Sequence, residues 1–211
     1  MERLITEGML AELRESVAKV LSERRYRHTV EVEKMAVRLS EIYGFEDVIK
    51  LRAAALLHDI TKEYDNKVHI SILSKPGIEF SGEDSHAPKT FHARTAALLI
   101  PEIYPEFADY DVTTAVRFHT TGRADMSLIE KLLYLADYID MSRTFPDCVE
   151  LREYFFSVSF DTMDENERMT HLDRTLLKSF NMTIKALVDE GKIISKDTIN
   201  ARNSLICLLP S

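Results

Sequence analysis

Leu51-Arg52-Ala53-Ala54-Ala55-Leu56-Leu57-His58-Asp59-Ile60-Thr61-Lys62-Glu63 joins strong helix formers to ionisable side chains, with no glycine or proline to break the run. It predicts a helix over Asp47 to Glu63, in which the small alanines allow a neighbouring helix to approach closely. Adjacent helical side chains differ by about 100° in direction. An imidazole at His58 and a carboxylate at Asp59 can therefore both lean toward one ion lying between them. Lys62 follows one turn later and places a cation beside the same site. Taken alone, the pair reads equally well as a core histidine bonded to a backbone carbonyl next to a polar neighbour.

Working outward, the same pattern of an ionisable residue on an apolar helix face recurs. Upstream, a first helix is expected over Leu4 to Glu23 and a second from near Tyr26 to Gly44, a good C-cap residue. In the second, His28, Val32, Met35, Leu39 and Ile42 share one stripe, which turns His28 inward. Downstream, Lys75 to Pro88, with Pro76, Gly77 and Gly82, reads as a loop or lid. The helix that follows runs from about Lys89 to Ile100 and carries His92 on the face of Ala96 and Leu99. Asp111 can cap a short helix ending at His119, and Thr120-Thr121-Gly122-Arg123 then makes a turn. Ser127 and Glu130 form a capping box that opens a strongly apolar helix with Asp137 on the stripe of Ile129 and Leu133. A carboxylate on a buried face must find a cation or several donors, and an arginine or a helix N-terminus would serve Asp137 as well as a metal. Beyond Pro146, helical segments are expected around Val149 to Phe156 and Leu172 to Glu190.

The whole chain agrees with this helical reading. Only 6 glycines and 6 prolines fall among 211 residues, and 45% are hydrophobic, enough for one domain with its own core. The expected fold class is all-α. Two cysteines, Cys148 and Cys207, and a charged N-terminus argue against a disulfide framework and a secretory signal, so a reducing, cytoplasmic location is expected. No apolar run approaches the roughly 20 residues that span a bilayer, so no membrane partner is expected. The formal net charge of -8 disfavours nucleic acid as a partner, because such binding relies on a basic surface. A small phosphorylated ligand would need a local concentration of metal, lysine and arginine.

Read together and in order, His28, His58-Asp59, His92, His119 and Asp137 resemble the HD-domain superfamily. Its H...HD...D ligands are matched by His28, His58-Asp59 and Asp137, and His92 and His119 look like the pair that completes a dinuclear site in some members. Arg27-His28-Thr29, Ala54 to Glu63, Phe118-His119-Thr120-Thr121-Gly122-Arg123, Met126 to Lys131, Tyr134-Leu135-Ala136-Asp137-Tyr138-Ile139 and Arg143-Thr144-Phe145-Pro146 narrow the resemblance. They are similar to the bacterial YqeK family of symmetrical diadenosine tetraphosphate hydrolases, and Asn200-Ala201-Arg202-Asn203 resembles that family's ending. The polar run Asp161 to Arg168 departs from it, in a connection between about Tyr154 and Leu172 that looks longer than usual.

The resemblance implies a single HD helical bundle over 1–211, with a helical extension from about 146, and a homodimer. It implies two metal ions, iron being typical of the family, held by His28, His58, Asp59, His92, His119 and Asp137, with Asp59 bridging. Nitrogen and oxygen ligands also suit manganese or zinc. A hydroxide between the ions would attack a central phosphorus of the nucleotide substrate and release two ADP. Lys62 would stabilise phosphate oxygens beside Asp59, Arg123 and Arg143 would hold the distal polyphosphate, and Thr120 or Thr121 would donate hydrogen bonds. Other readings are an HD phosphohydrolase for another phosphoester, or a nucleotide sensor without turnover. His69, His86 and His171 fall in polar surroundings and are expected mostly to face solvent, with His86 on the lid. Phe80, Phe91 and Tyr138 are read as core packing rather than base stacking.

Overall fold

Side-chain caps decide where the helices begin, and they move several expected boundaries. In the computed structural model, which describes residues 5–75 and 77–209, Thr6 accepts from the Met9 amide and opens α1 (Glu7–Val20). Leu4, the expected start of that helix, lies outside the described residues, as does Pro76 of the lid. Ser22 ends the first helical run early, because its hydroxyl caps the Arg25 amide and its amide and hydroxyl bond Glu63. The second helix, α2 (Glu23–Tyr43), therefore starts before Tyr26 and takes Arg24 and Arg25 into its first turn. It ends as expected at Gly44, in the left-handed conformation with φ 59°.

The expected helix from Asp47 to Glu63 stops sooner. α3 spans Val48–Leu57, and His58 to Glu63 continue as a series of turns. The Ala55 carbonyl, which a continuing helix would offer to the Asp59 amide, instead accepts from the His58 ring at 2.7 Å. After α4 (Asn66–Leu73), which the hydrophobic pattern did not announce, come two short 3-10 turns and α5 (Phe91–Ile103). α6 covers Tyr110–Phe118, and its cap is Asp109 rather than Asp111, since Asp109 accepts from the amides of Asp111 and Val112. α7 (Leu128–Ile139) carries the expected Ser127/Glu130 capping box. α8 (Pro146–Phe155), α9 (Glu165–Asp189) and α10 (Lys196–Leu208) complete the chain. The supposed long connection after Tyr154 is largely helix, because an Asp164/Glu167 capping box starts α9 inside the polar run.

Among the described residues there is no strand, and the chain forms one all-α domain. α3 lies at its centre, touching α1, α2, α6 and α7. That position explains its alanines: Ala53, Ala54 and Ala55 are fully buried and leave room for close neighbours on every side. Leu39, Leu56, Leu132, Leu135, Phe155 and Phe180 belong to a single apolar core that reaches from α1 to α10. Among the described residues, no helix is long and apolar enough to cross a membrane.

Candidate metal centre

The helix ends aim six ionisable side chains at one interior point. His28 comes from the second turn of α2, His58 and Asp59 from the turns after α3, and His92 from the first turn of α5. His119 caps the C-terminus of α6, and Asp137 lies in the last turn of α7. Asp59 is the hub. Its Oδ1 is 3.3 Å from His92 Nε2 and 3.8 Å from His119 Nε2, and its Oδ2 is 3.5 Å from His58 Nε2 and 3.8 Å from His28 Nε2. Asp137 Oδ1 adds 3.0 Å to His28 and 3.7 Å to His58. All six side chains expected to ligate metal are thus brought together.

The outer nitrogens of His58, His119 and His28 are already spoken for. His58 Nδ1 donates to the Ala55 carbonyl and His119 Nδ1 to the Val116 carbonyl, both at 2.7 Å, so each ring presents Nε2 to the cluster. His28 Nδ1 is fixed from behind by Ser142 and Asp140, each at 3.3 Å. Burial lowers the His119 pKa to about 4, with the nearby His58 adding to the effect, and burial together with Lys62 drives His92 well below its usual range. Both rings are neutral, yet their Nε2 atoms lie only 3.1 Å apart.

This crowding of lone pairs tests whether a metal fits. His28 Nε2, His58 Nε2 and Asp59 Oδ1 are buried and make no aligned hydrogen bond, a costly state for three neighbouring polar atoms unless a cation satisfies them. Two ligand groups could each hold an ion: His28, His58 and Asp137, and His58, Asp59 and His119. Burial would raise the pKa of both carboxylates, but His58 and Lys62 at Asp59, and Arg143 and His28 at Asp137, outweigh it and keep each well below the usual range. Ionised carboxylates and neutral imidazoles are the states that bind divalent metals. His92 and His119 are in that state, whereas at His28 burial is outweighed by the bonds to Asp137 and Asp140, which raise the pKa to about 9, so a metal there would displace a proton.

The expected phosphate-binding residues divide into two sets. Lys62 Nζ and Thr120 Oγ1 lie 2.9 and 3.1 Å from His92 Nε2 and line a cleft of about 710 Å³ beside the cluster. Arg143 borders the same cleft, with its guanidinium on Asp137. Thr121 is buried and borders the adjoining apolar cavity, its hydroxyl bonded to the Gly122 carbonyl. Arg123 is drawn away to a bidentate pair with Glu130, at 2.6 and 2.8 Å. Two residues escaped the sequence reading. Arg25 donates to Asp59 Oδ2 at 2.7 Å, and Asp140 is fully buried behind His28. Their spacing was the signal: Arg25 precedes His28, and Asp140 follows Asp137, by three residues, which places each near its partner.

The other histidines require a correction. His69 and His171 are buried rather than solvent-facing. His69 bonds the Thr95 hydroxyl, while His171 bonds the Phe155 carbonyl at 2.9 Å and stacks on Tyr154 and Phe155. His171 satisfies local structure away from the cluster, whereas His69 borders the same cleft as Lys62 and His92. His86 is exposed, as expected. Phe91 is buried in keeping with its packing role, whereas half-buried Tyr138 lines the cleft.

Residues 25–142 match the HD domain. This chain is a member of the HD-domain family. The matched span contains all six convergent side chains as well as Lys62, Thr120, Thr121 and Arg123. Symmetrical bis(5'-nucleosyl)-tetraphosphatases are among its relatives. That of Halalkalibacterium halodurans is 35% identical, the alignment covering 88% of this chain and 91% of the relative. That of Bacillus subtilis is 32% identical, with 90% and 94% covered. A crystal structure from Clostridium acetobutylicum, described as a predicted HD superfamily hydrolase involved in NAD metabolism, superposes with a TM-score of 0.80 at 36% identity. It covers 94% of this HD protein and 97% of that chain.

Proposed function

We propose that this chain is a symmetrical bis(5'-nucleosyl)-tetraphosphatase that hydrolyses diadenosine tetraphosphate at its central anhydride. The observation that carries the reading is the set of buried nitrogen and oxygen atoms around Asp59 without hydrogen-bond partners, opening onto a cleft in the size range of nucleotide sites. The names of its full-length relatives supply the substrate class. Water adds to one central phosphorus, the bridging P–O bond breaks, the leaving ADP keeps the electron pair, and the proton of the water is released.

His28, His58 and Asp137 would hold one ion and His92 and His119 the other, with Asp59 between them; iron is our assignment. Such ions supply Lewis acidity at a phosphoryl oxygen and lower the pKa of a water nucleophile. The protein's own part is placement and charge. Lys62 faces the phosphoryl oxygens nearest His92, Thr120 donates to them, and Arg143 orients Asp137 while meeting the polyphosphate. Arg123 acts indirectly, by bracing the Thr120-Thr121 turn against Glu130. Residues from about 146 form an extension whose α9 walls the cavity beside Tyr138 and receives a nucleoside. The protein works in the cytoplasm and as a homodimer.

Product analysis is the test. Metal-loaded protein incubated with diadenosine tetraphosphate should give ADP alone. AMP with ATP, or binding without turnover, would overturn the reading. Elemental analysis after anaerobic purification addresses the iron, and sedimentation addresses the dimer.

A further inference from the structure

A second cleft, of about 570 Å³, lies on the other side of the histidine cluster. Its walls include Arg24, Arg25 and Arg27 from the start of α2, and Met141, Arg143 and Phe145 from the loop after α7. Arg143 and Phe145 also border the first cleft, so the two meet there. His28 faces the second cleft, while His92, His119 and Asp137 face the first.

Basic side chains outnumber acidic ones in this second cleft, where Glu31 is the acidic wall residue and pairs with Lys34. Arg25 is bonded to Asp59 and Arg143 to Asp137, but among the described residues Arg24 and Arg27 make no ion pair and no side-chain hydrogen bond. Arg24 also sits in the first turn of a 21-residue helix, where the macrodipole already disfavours a cation. Unpaired arginines at a positive helix end, in a chain of net charge -8, create a local field suited to a polyanion. Met141 and Phe145, 63% and 58% exposed at the rim, offer apolar faces to a base.

We propose that this arginine cleft binds the second half of a dinucleoside polyphosphate: Arg24 and Arg27 take the phosphates of the departing nucleoside diphosphate, and Phe145 stacks on its base. The inference rests on the proposed function and supplies what a symmetrical substrate needs, a nucleotide site on each side of the bond that breaks. The first cleft, with Lys62 and Thr120, takes the other half.

ADP serves as the probe. Titration calorimetry on the metal-loaded protein should find two ADP per chain, and Arg24→Ala/Arg27→Ala should lose one of them while the other binds unchanged. The same double variant should raise KM for diadenosine tetraphosphate at least about tenfold and change kcat less than about threefold. Arg24→Lys/Arg27→Lys should recover part of the loss, and matching thermal melts exclude a folding defect. One ADP per wild-type chain, or two in the alanine variant, would overturn the second site. A wild-type protein that binds two ADP yet releases none from diadenosine tetraphosphate would instead overturn the proposed reaction and leave the cleft standing.

Discussion

Lys62 Nζ stands 2.9 Å from His92 Nε2 and 3.7 Å from Asp59 Oδ1, so an ammonium group occupies the open side of two expected metal ligands. Lys62 is a third exposed, whereas His92 and Asp59 are buried, which lets the flexible lysine swing toward the cleft while the ligands stay in place. Lys62→Met removes the charge and keeps most of the stem. We expect kcat to fall by about 10²–10³ while metal content is unchanged or higher, measured by turnover and elemental analysis on the same sample. Activity within threefold of wild type would rule out the phosphate-facing role.

The unpartnered buried nitrogens and oxygen around Asp59 make the protein sensitive to metal removal. Metal at about 100 times its dissociation constant adds about 2.7 kcal/mol of stability. For a chain of this length that corresponds to a melting temperature roughly 5–10 °C above that of chelator-treated protein. Asp59→Ala should melt at the same temperature with and without metal. A response in that variant equal to the wild type's would move the ion elsewhere.

Gly122 adopts φ 62°, and a Cβ there would come within 2.5 Å of Phe180 Cζ and 2.9 Å of Ala201 Cβ. Gly122→Ala therefore combines left-handed strain with overpacking against α9 and α10. A loss of about 2–4 kcal/mol in urea unfolding is expected. Trimming Phe180 to leucine in the same chain should return part of it, and strict additivity of the two losses would contradict the contact.

Cys148 is buried, and burial raises its thiol pKa to about 12, whereas Cys207 is exposed. At pH 8 a disulfide reagent should modify one thiol in the folded protein and both in denaturant. The folded state holds the Cys148 proton more tightly than the unfolded chain does. Its contribution to stability is thus complete below pH 9 and declines as pH rises toward 12. Rapid reaction of two thiols at pH 8 in the native state would refute the burial.

The helical class was legible because amphipathic stripes record which face is inside, and the six convergent side chains because their order resembles the HD ligand pattern. His28 and Asp137 could be placed from spacing alone, as could the Ser127/Glu130 box. Boundaries set by tertiary competition were not. The end of α3 depends on the His58 ring capturing the Ala55 carbonyl, and the start of α2 depends on Ser22 being held by a glutamate 41 residues away. His69 and His171 misled for a related reason: His69 lies between the exposed Val68 and Ile70, and His171 follows the polar run that opens α9, while the rings themselves bond Thr95 and Phe155 inside. Arg123 shows the reverse limit, since its motif suggests phosphate while Glu130, the capping residue of α7, holds it.

All six converging side chains lie within residues 25–142, yet the cavity next to Tyr138 is walled by Thr183, Leu187 and Ile193, which lie beyond that span. The converging side chains and the wall of this cavity are thereby drawn from different stretches of the chain. On the proposed function, replacements in α9 and in the segment after it would reshape which nucleoside is accepted while leaving the expected metal ligands untouched, and these C-terminal helices are where a designer would begin to alter substrate choice.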